Sequence, residues 1–265
     1  MNGIFLQGGG AKGAFQAGVI YGLCKKGVKF QVITGTSIGA VNGYYLYTGN
    51  LEALKDLYTK NSENQGIIKN AKITKVIDNT YVIDKLRNLK SVNKDVRKFF
   101  VNYVHINDIG TLEDKKVNIV EQKKDDALNF IKYSSLLPYV FEDNEPVEDI
   151  ELLIKKFNSA NIFEEFKSMV TKGMYNGYNL DGGILNNNFL QPFLCDEISD
   201  KIEKIYMLPL SNQFEIPGYI KEKYEDGQII TIKRQKEFKN WDTLNFNGDY
   251  LRELFFQGLG TVNNL

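Results

Sequence analysis

The chain has 265 residues, with 33 Lys and Arg against 33 Asp and Glu, a single His and two Cys. That length suits one large α/β domain or two small ones with a sizeable core, and the balanced charge gives no reason to expect a nucleic-acid partner. His105 alone cannot build a site with two or three imidazole ligands, and Cys24 and Cys195 are far apart and outside any CxxC, which argues against a metal cluster, a redox dithiol or a disulfide framework.

The N-terminus lacks a basic region followed by an apolar one, so no signal peptide is expected. Residues 2–7 (NGIFLQ) read as a short buried strand that stops at Gly8-Gly9-Gly10. From Gly13 to Lys26 the pattern is helical, closed by Lys25, Lys26 and Gly27. Val28–Thr34 alternates like a strand and runs into Gly35-Thr36-Ser37-Ile38-Gly39, with a second helix through about Tyr47. Strand–turn–helix twice in fifty residues predicts a parallel α/β sheet. The stretch Phe30–Leu51 is uncharged over 22 residues, but its polar side chains and four Gly predict strand, turn and helix rather than a membrane span.

Residues 67–100 hold nine basic residues (Lys69, Lys72, Lys75, Lys85, Arg87, Lys90, Lys94, Arg97, Lys98) against three acidic ones, with apolar residues at helical spacing. Two readings stand: a solvated helical face on the core, or a lid or docking surface for anionic lipid giving peripheral membrane contact. Val117–Glu121 reads as a strand and Asp125–Tyr133 as a helix. The acidic run Glu142, Asp143, Glu145, Glu148, Asp149, Glu151 reads as a polar loop rather than a metal site, lacking the alternate spacing of oxygen-ligand loops. Asn176-Gly177 marks a turn, Ile205–Leu210 a strand, and the region around Leu251–Phe256 a helix.

Three constellations could carry chemistry. Gly8-x-Gly10-x-x-Gly13 has dinucleotide-binding spacing, but that use needs an acidic residue about 20 positions on, and the first acid is Glu52. The same loop could form an oxyanion hole, its amides lying at a helix N-terminus, or simply a tight turn. Gly35-x-Ser37-x-Gly39 fits a nucleophile elbow between strand and helix, against the plainer reading of a Ser that caps the helix. A serine nucleophile needs a base. No His follows Ser37 except His105, whose plainer reading is an ordinary surface or partly buried residue, so a triad is improbable and a carboxylate must serve. Asp181-Gly182-Gly183 is the best candidate, although Asp-Gly-Gly alone is a common turn.

QGGGAKGAFQAG, GTSIGA and DGGILNN, in that order, resemble the patatin-like phospholipase family. The match lies at Gly8, Gly9, Gly10, Lys12, Gly13, Gly35, Ser37, Gly39, Asp181, Gly182 and Gly183, with Asn186 and Asn187 resembling the Asn that follows the family's late Asp-Gly. The resemblance implies a single domain with a three-layer α/β/α fold and a mostly parallel central sheet. It implies a Ser37–Asp181 dyad, an oxyanion hole from the amides around Gly8, Gly9 and Gly10, lipid or phospholipid ester substrates, and no metal or other cofactor. A non-catalytic lipid- or partner-binding protein on the same fold is the alternative. The family's Ser-x-x-x-Pro-x-x-Phe segment could be Ser134, Pro138 and Phe141, followed by an insertion around 142–172; a lid or insertion is expected around 60–130; and the Pro after the Asn residues is displaced to Pro192. The expected location is cytoplasmic or at a membrane periphery.

Overall fold

The computed structural model describes residues 1–60, 75–138 and 159–263. In chain order these form β1 (Asn2–Leu6), α1 (Gly13–Lys25), β2 (Val32–Gly35), α2 (Ile38–Thr48), α3 (Leu51–Thr59), α4 (Thr80–Arg87), β3 (Lys98–Ile106) and β4 (Leu112–Asn118). There follow α5 (Lys124–Ser134), α6 (Ser159–Thr171), β5 (Asn179–Asp181), α7 (Gly183–Asn186), α8 (Asp196–Ser199), β6 (Lys204–Leu208), α9 (Gly218–Lys223), β7 (Ile229–Thr231) and α10 (Gly248–Asn263). The strands make one seven-stranded sheet in the order β4-β3-β2-β1-β6-β7, with β5 also paired to β3. β1, β2, β3, β6 and β7 are mutually parallel, while β4 and β5 run antiparallel to β3.

Alternation along the central strands makes the three layers. Ile4, Leu6, Ile33, Phe99 and Leu208 face one cluster with α1, α2, α3, α5 and α10. Phe5, Val32, Ile205 and Met207 face the other, with Phe193, Ile198 and Ile220 of the helical turns that cover it. Both faces of β1 and β6 are buried, as a parallel sheet between helices requires. The antiparallel end has its own cluster, in which Val104 and Ile106 of β3 and Leu180 of β5 pack on Phe166 and Val170 of α6. On the helical layer α1 and α10 approach backbone to backbone: a Cβ at Gly18 would stand 1.9 Å from Phe255 O, and one at Gly258 would stand 2.0 Å from Phe15 O.

The expected parallel α/β sheet is present, with three local differences. β2 begins at Val32, because Gly27 at φ 86° turns the chain out of α1 and Val28–Gln31 lead into the sheet. The strand expected at Val117–Glu121 lies earlier, at Leu112–Asn118, and Ile119–Glu121 is a 3-10 turn. β4 is an edge strand of mainly charged residues (LEDKKVN), so it lacks an apolar signal; the Asn118 side chain ends the ladder by accepting the Phe99 amide at 3.1 Å. Of the 60–130 stretch expected as lid or insertion, residues 98–106 and 112–118 are strands of the central sheet. The acidic run Glu142–Glu151 and Phe141 lie outside the described residues.

Candidate active site

Strand register brings the two candidate catalytic groups together. β2 occupies one edge of β3 as far as Gly35, which pairs with Val101. β5 takes up the same edge from the opposite direction, and Asp181 pairs with Tyr103. The end of β2 and Asp181 are thus two β3 residues apart, about 7 Å along the strand. Two residues beyond Gly35, the Ser37 hydroxyl donates to Asp181 Oδ2 at 2.5 Å, across 144 positions of sequence.

Asn102, the β3 residue between those two pairings, ties the site together. Its buried Oδ1 accepts the Thr36 hydroxyl at 2.6 Å, and its Nδ2 donates to Asn186 O at 2.9 Å. Ser134, at the end of α5, does the same from a second direction. Its Oγ accepts the Ser37 amide at 2.9 Å and its carbonyl accepts that of Gly182 at 3.3 Å. The motif carrying Ser134 was legible in the sequence. Asn102 was not, although a buried Asn in the apolar run FVNYVHI is the kind of signal that marks a bound polar group.

The elbow is strained. Ser37 has φ 56° and ψ −125°, and it is the single non-glycine with positive φ among the described residues. Such a conformation costs about 1–3 kcal/mol and persists where surrounding contacts over-determine it. Here the Thr36 amide donates to Leu6 O at 3.1 Å and Gly39 lies against the end of β1, where a Cβ would stand 2.1 Å from Leu6 O. Gly35 lies against the same turn, its Cβ position 2.7 Å from Gly39 O. The spacing of the two Gly follows from those contacts.

Asp181 is 4% exposed. Burial pushes its carboxyl up to about 6 from the ordinary 3.8, opposed by hydrogen bonds from the Ser37 hydroxyl and the Gly183 amide. The Gly183 amide reaches Oδ1 at 2.8 Å, so each carboxylate oxygen has one donor.

The Gly-rich loop abuts the elbow. Gly8, expected with Gly9 and Gly10 to turn its amide toward an oxyanion, instead donates to Asn187 Oδ1 at 2.8 Å, and Asn187 Nδ2 donates back to Gly8 O at 3.2 Å. The amides of Gly9, Gly10 and Ile38 have no acceptor among the described residues. Ile38 opens α2 directly after Ser37, where the helix dipole favours negative charge. Gly10 has φ 55° and packs on the 3-10 turn Asn240–Thr243, its Cβ position 2.1 Å from Thr243 O. Lys12 turns to Leu210 O at 3.1 Å and over the Phe238 ring; burial pulls its ammonium below the usual lysine range, opposed by the charge of Asp242. Gly13 packs on Ile38, its Cβ position 2.4 Å from that side chain. Gln7, unremarked in the sequence, ties the Leu210 and Ser211 amides to Asn188.

Other predicted features fall away from this cluster. His105 pairs with Asn179, its Nδ1 2.9 Å from Asn179 Oδ1, two residue pairs further along β3 than Asp181. Lys90, Lys94, Arg97 and Lys98 precede or open β3, at the end of the sheet opposite Ser37; Lys69 and Lys72 lie outside the described residues. Cys24 and Cys195 are both free thiols. The uncharged stretch 30–51 is divided among β2, the elbow and α2, and no described helix is long and apolar enough to cross a membrane. Among the described residues, no group of three or more His, Cys, Asp or Glu could hold a metal ion.

The chain matches the family model described as patatin-like phospholipase over residues 4–194. Among solved structures it is similar to VipD from Legionella pneumophila, at 12% identity and a TM-score of 0.45, covering 99% of this chain and 67% of that one. It is also similar to the ExoU–SpcU heterodimer of the Pseudomonas aeruginosa type III secretion system, at 13% identity and a TM-score of 0.37, covering 98% of this chain and 52% of that one. Comparison with curated proteins finds no match. The family match takes in the Gly-rich loop, the elbow and the Asp-Gly-Gly turn, and with them on a mostly parallel α/β/α sheet, this chain belongs to the patatin-like phospholipase family.

Proposed function

We propose that the chain is a lipid acyl hydrolase of phospholipase A or lysophospholipase type, acting through a Ser37–Asp181 dyad. Family membership supports a lipid ester hydrolase in general terms. The observation that carries the finer reading is the 2.5 Å hydrogen bond from the Ser37 hydroxyl, on a strained elbow, to a buried carboxylate. A group of that kind takes a proton near neutral pH, because burial has raised its basicity.

Asp181 removes the Ser37 proton as Oγ attacks the ester carbonyl. The tetrahedral oxyanion faces the free amides of Gly9 and Gly10, with that of Ile38 at the α2 N-terminus as a further donor. Collapse expels the alcohol, which takes the proton held by Asp181, and leaves an acyl-Ser37 ester. Asp181 then deprotonates water, whose attack releases the fatty acid and returns the proton to Ser37. The test is labelling with a fluorophosphonate and turnover of p-nitrophenyl acyl esters by wild type, Ser37→Ala and Asp181→Asn. Both variants are expected to lose labelling and turnover; Ser37-independent turnover overturns the reading.

A further inference from the structure

We propose that the carboxyl end of the sheet is a docking surface for an anionic lipid bilayer, with Trp241, Leu185, Met174 and Ile109 as its apolar anchors. Seven large apolar side chains are exposed among the described residues, and these four lie at that one end. Ile109, 86% exposed, tips the β3–β4 hairpin, and Asn176 Nδ2 holds the next loop to it through Asp108 O at 2.7 Å, which brings Met174 alongside. Both lie beyond the end of β3, past the level of the dyad. Leu185, 47% exposed, stands on α7, four residues after Asp181. Trp241, 48% exposed, stands on the 3-10 turn that packs against Gly10. The anchors therefore surround the place where an ester would enter.

Charge selects the occupant. Trp241 has the Lys239 ammonium over its ring at 5.0 Å, and in the segment 233–241 Lys233, Lys236 and Lys239 are exposed against Glu237 as the exposed acid. Lys172 is exposed beside Met174. An indole flanked by lysines suits the interface of a membrane, where the ring sits at headgroup level and each cation near an anionic surface adds attraction. Of the described cations of the 67–100 stretch, Lys75 lies at this end, its Nζ 3.5 Å from Met174 O, while Lys90, Lys94 and Arg97 lie at the amino end, where docking turns Ser37 away from the lipid. The proposal deepens the lipid-hydrolase reading, yet docking can be measured without turnover.

Trp241 is the only Trp in the chain, so its emission reports the surface directly. Ser37→Ala protein is titrated with phosphatidylcholine vesicles with and without phosphatidylglycerol, and separately with soluble glycerophosphate. Expected are a blue shift with the anionic vesicles, little change with the other two, and binding about tenfold weaker by sedimentation in Trp241→Ala and in Ile109→Ser. Circular dichroism and melting temperature establish that each variant is folded; if one is not, the other carries the comparison. No emission shift with anionic vesicles overturns the proposal, as does an equal shift with glycerophosphate. Binding abolished by charge reversal at Lys90, Lys94 and Arg97, but unaltered by Trp241→Ala and Ile109→Ser, also overturns it. Loss of fluorophosphonate labelling in wild type would instead strike the dyad and leave docking standing.

Discussion

Asn187 brackets the peptide of Gly8, accepting its amide at 2.8 Å and donating to its carbonyl at 3.2 Å, so a side chain that follows the candidate base holds the loop that carries the proposed oxyanion amides. This pair ties the two motifs together. Replacing Asn187 with Ala leaves both Gly8 groups unpaired and should cost about 1–2 kcal/mol of stability. Loosening of Gly9 and Gly10 should lower kcat about 10–100-fold on a soluble ester with little change in KM. Denaturant melts and steady-state kinetics check both, and an unchanged kcat would make Asn187 a purely structural tie.

Gly9 and Gly10 should respond differently to alanine. At Gly10, φ is 55° and the added Cβ meets the backbone carbonyl of Thr243 at 2.1 Å, which cannot move without the whole turn. At Gly9 the backbone is extended, at φ 171°, and the nearest atoms belong to the side chains of Leu210 and Lys12. Gly10→Ala is expected to lose about 10²-fold or more in kcat together with stability, and Gly9→Ala clearly less. Equal losses would show that these packing contacts do not set the loop.

The pH dependence follows from the burial of Asp181. A carboxylate base supports activity only when ionised, so kcat/KM should rise with pH through about 6, where burial has moved this group. The unperturbed values of carboxylates and imidazole would separate the two bases by pH alone, with activity persisting well below about 6.5 for a carboxylate; burial removes that separation. His105→Gln therefore decides: the acid limb should stay near 6, and its disappearance would make His105 the titrating group.

Stability carries the opposite sign. The folded-state value of Asp181 is raised above the unfolded 3.8, so its contribution is full below that pH and is lost as pH rises through about 6. A shift of this size corresponds to about 3 kcal/mol above pH 7. Asp181→Asn should consequently melt higher than wild type at pH 8, with the advantage shrinking toward pH 4, while losing turnover. A melting temperature lower than wild type at pH 8 would contradict the cost assigned to the buried carboxylate.

Asn102 acts through its neighbours. Its loss frees the buried Thr36 hydroxyl and the half-buried Asn186 carbonyl, and should destabilise the fold by about 1–3 kcal/mol. As a positioning residue it should also alter kcat more than KM, since Ser37 and Asp181 hang on either side of it. Asn102→Asp keeps an acceptor for Thr36 and should recover part of the kcat that Asn102→Ala loses. Equal kcat in the two variants would remove the positioning role.

What the sequence determined is what neighbours along the chain decide. The strand–glycine–helix units at 2–25 and 32–48, the elbow around Ser37 and the Asp181 turn are local patterns, because glycine spacing and hydrophobic alternation act over a few residues. The family resemblance rests on those patterns, and the single His made a His triad improbable. Tertiary structure decided the rest. The charged edge strand β4 has no apolar period to announce it, Asn102 becomes a tie only because β2 and β5 share one edge of β3, and the Gly8 amide is occupied only because Asn187 comes to it from 179 positions away. The same holds for charge: the 67–100 stretch reads as basic, yet Lys90, Lys94 and Arg97 fall at the amino end of the sheet because of the direction of β3, and Lys75 falls beside Met174. Sheet register depends on pairings between distant segments, and no local pattern encodes which residues it sets side by side.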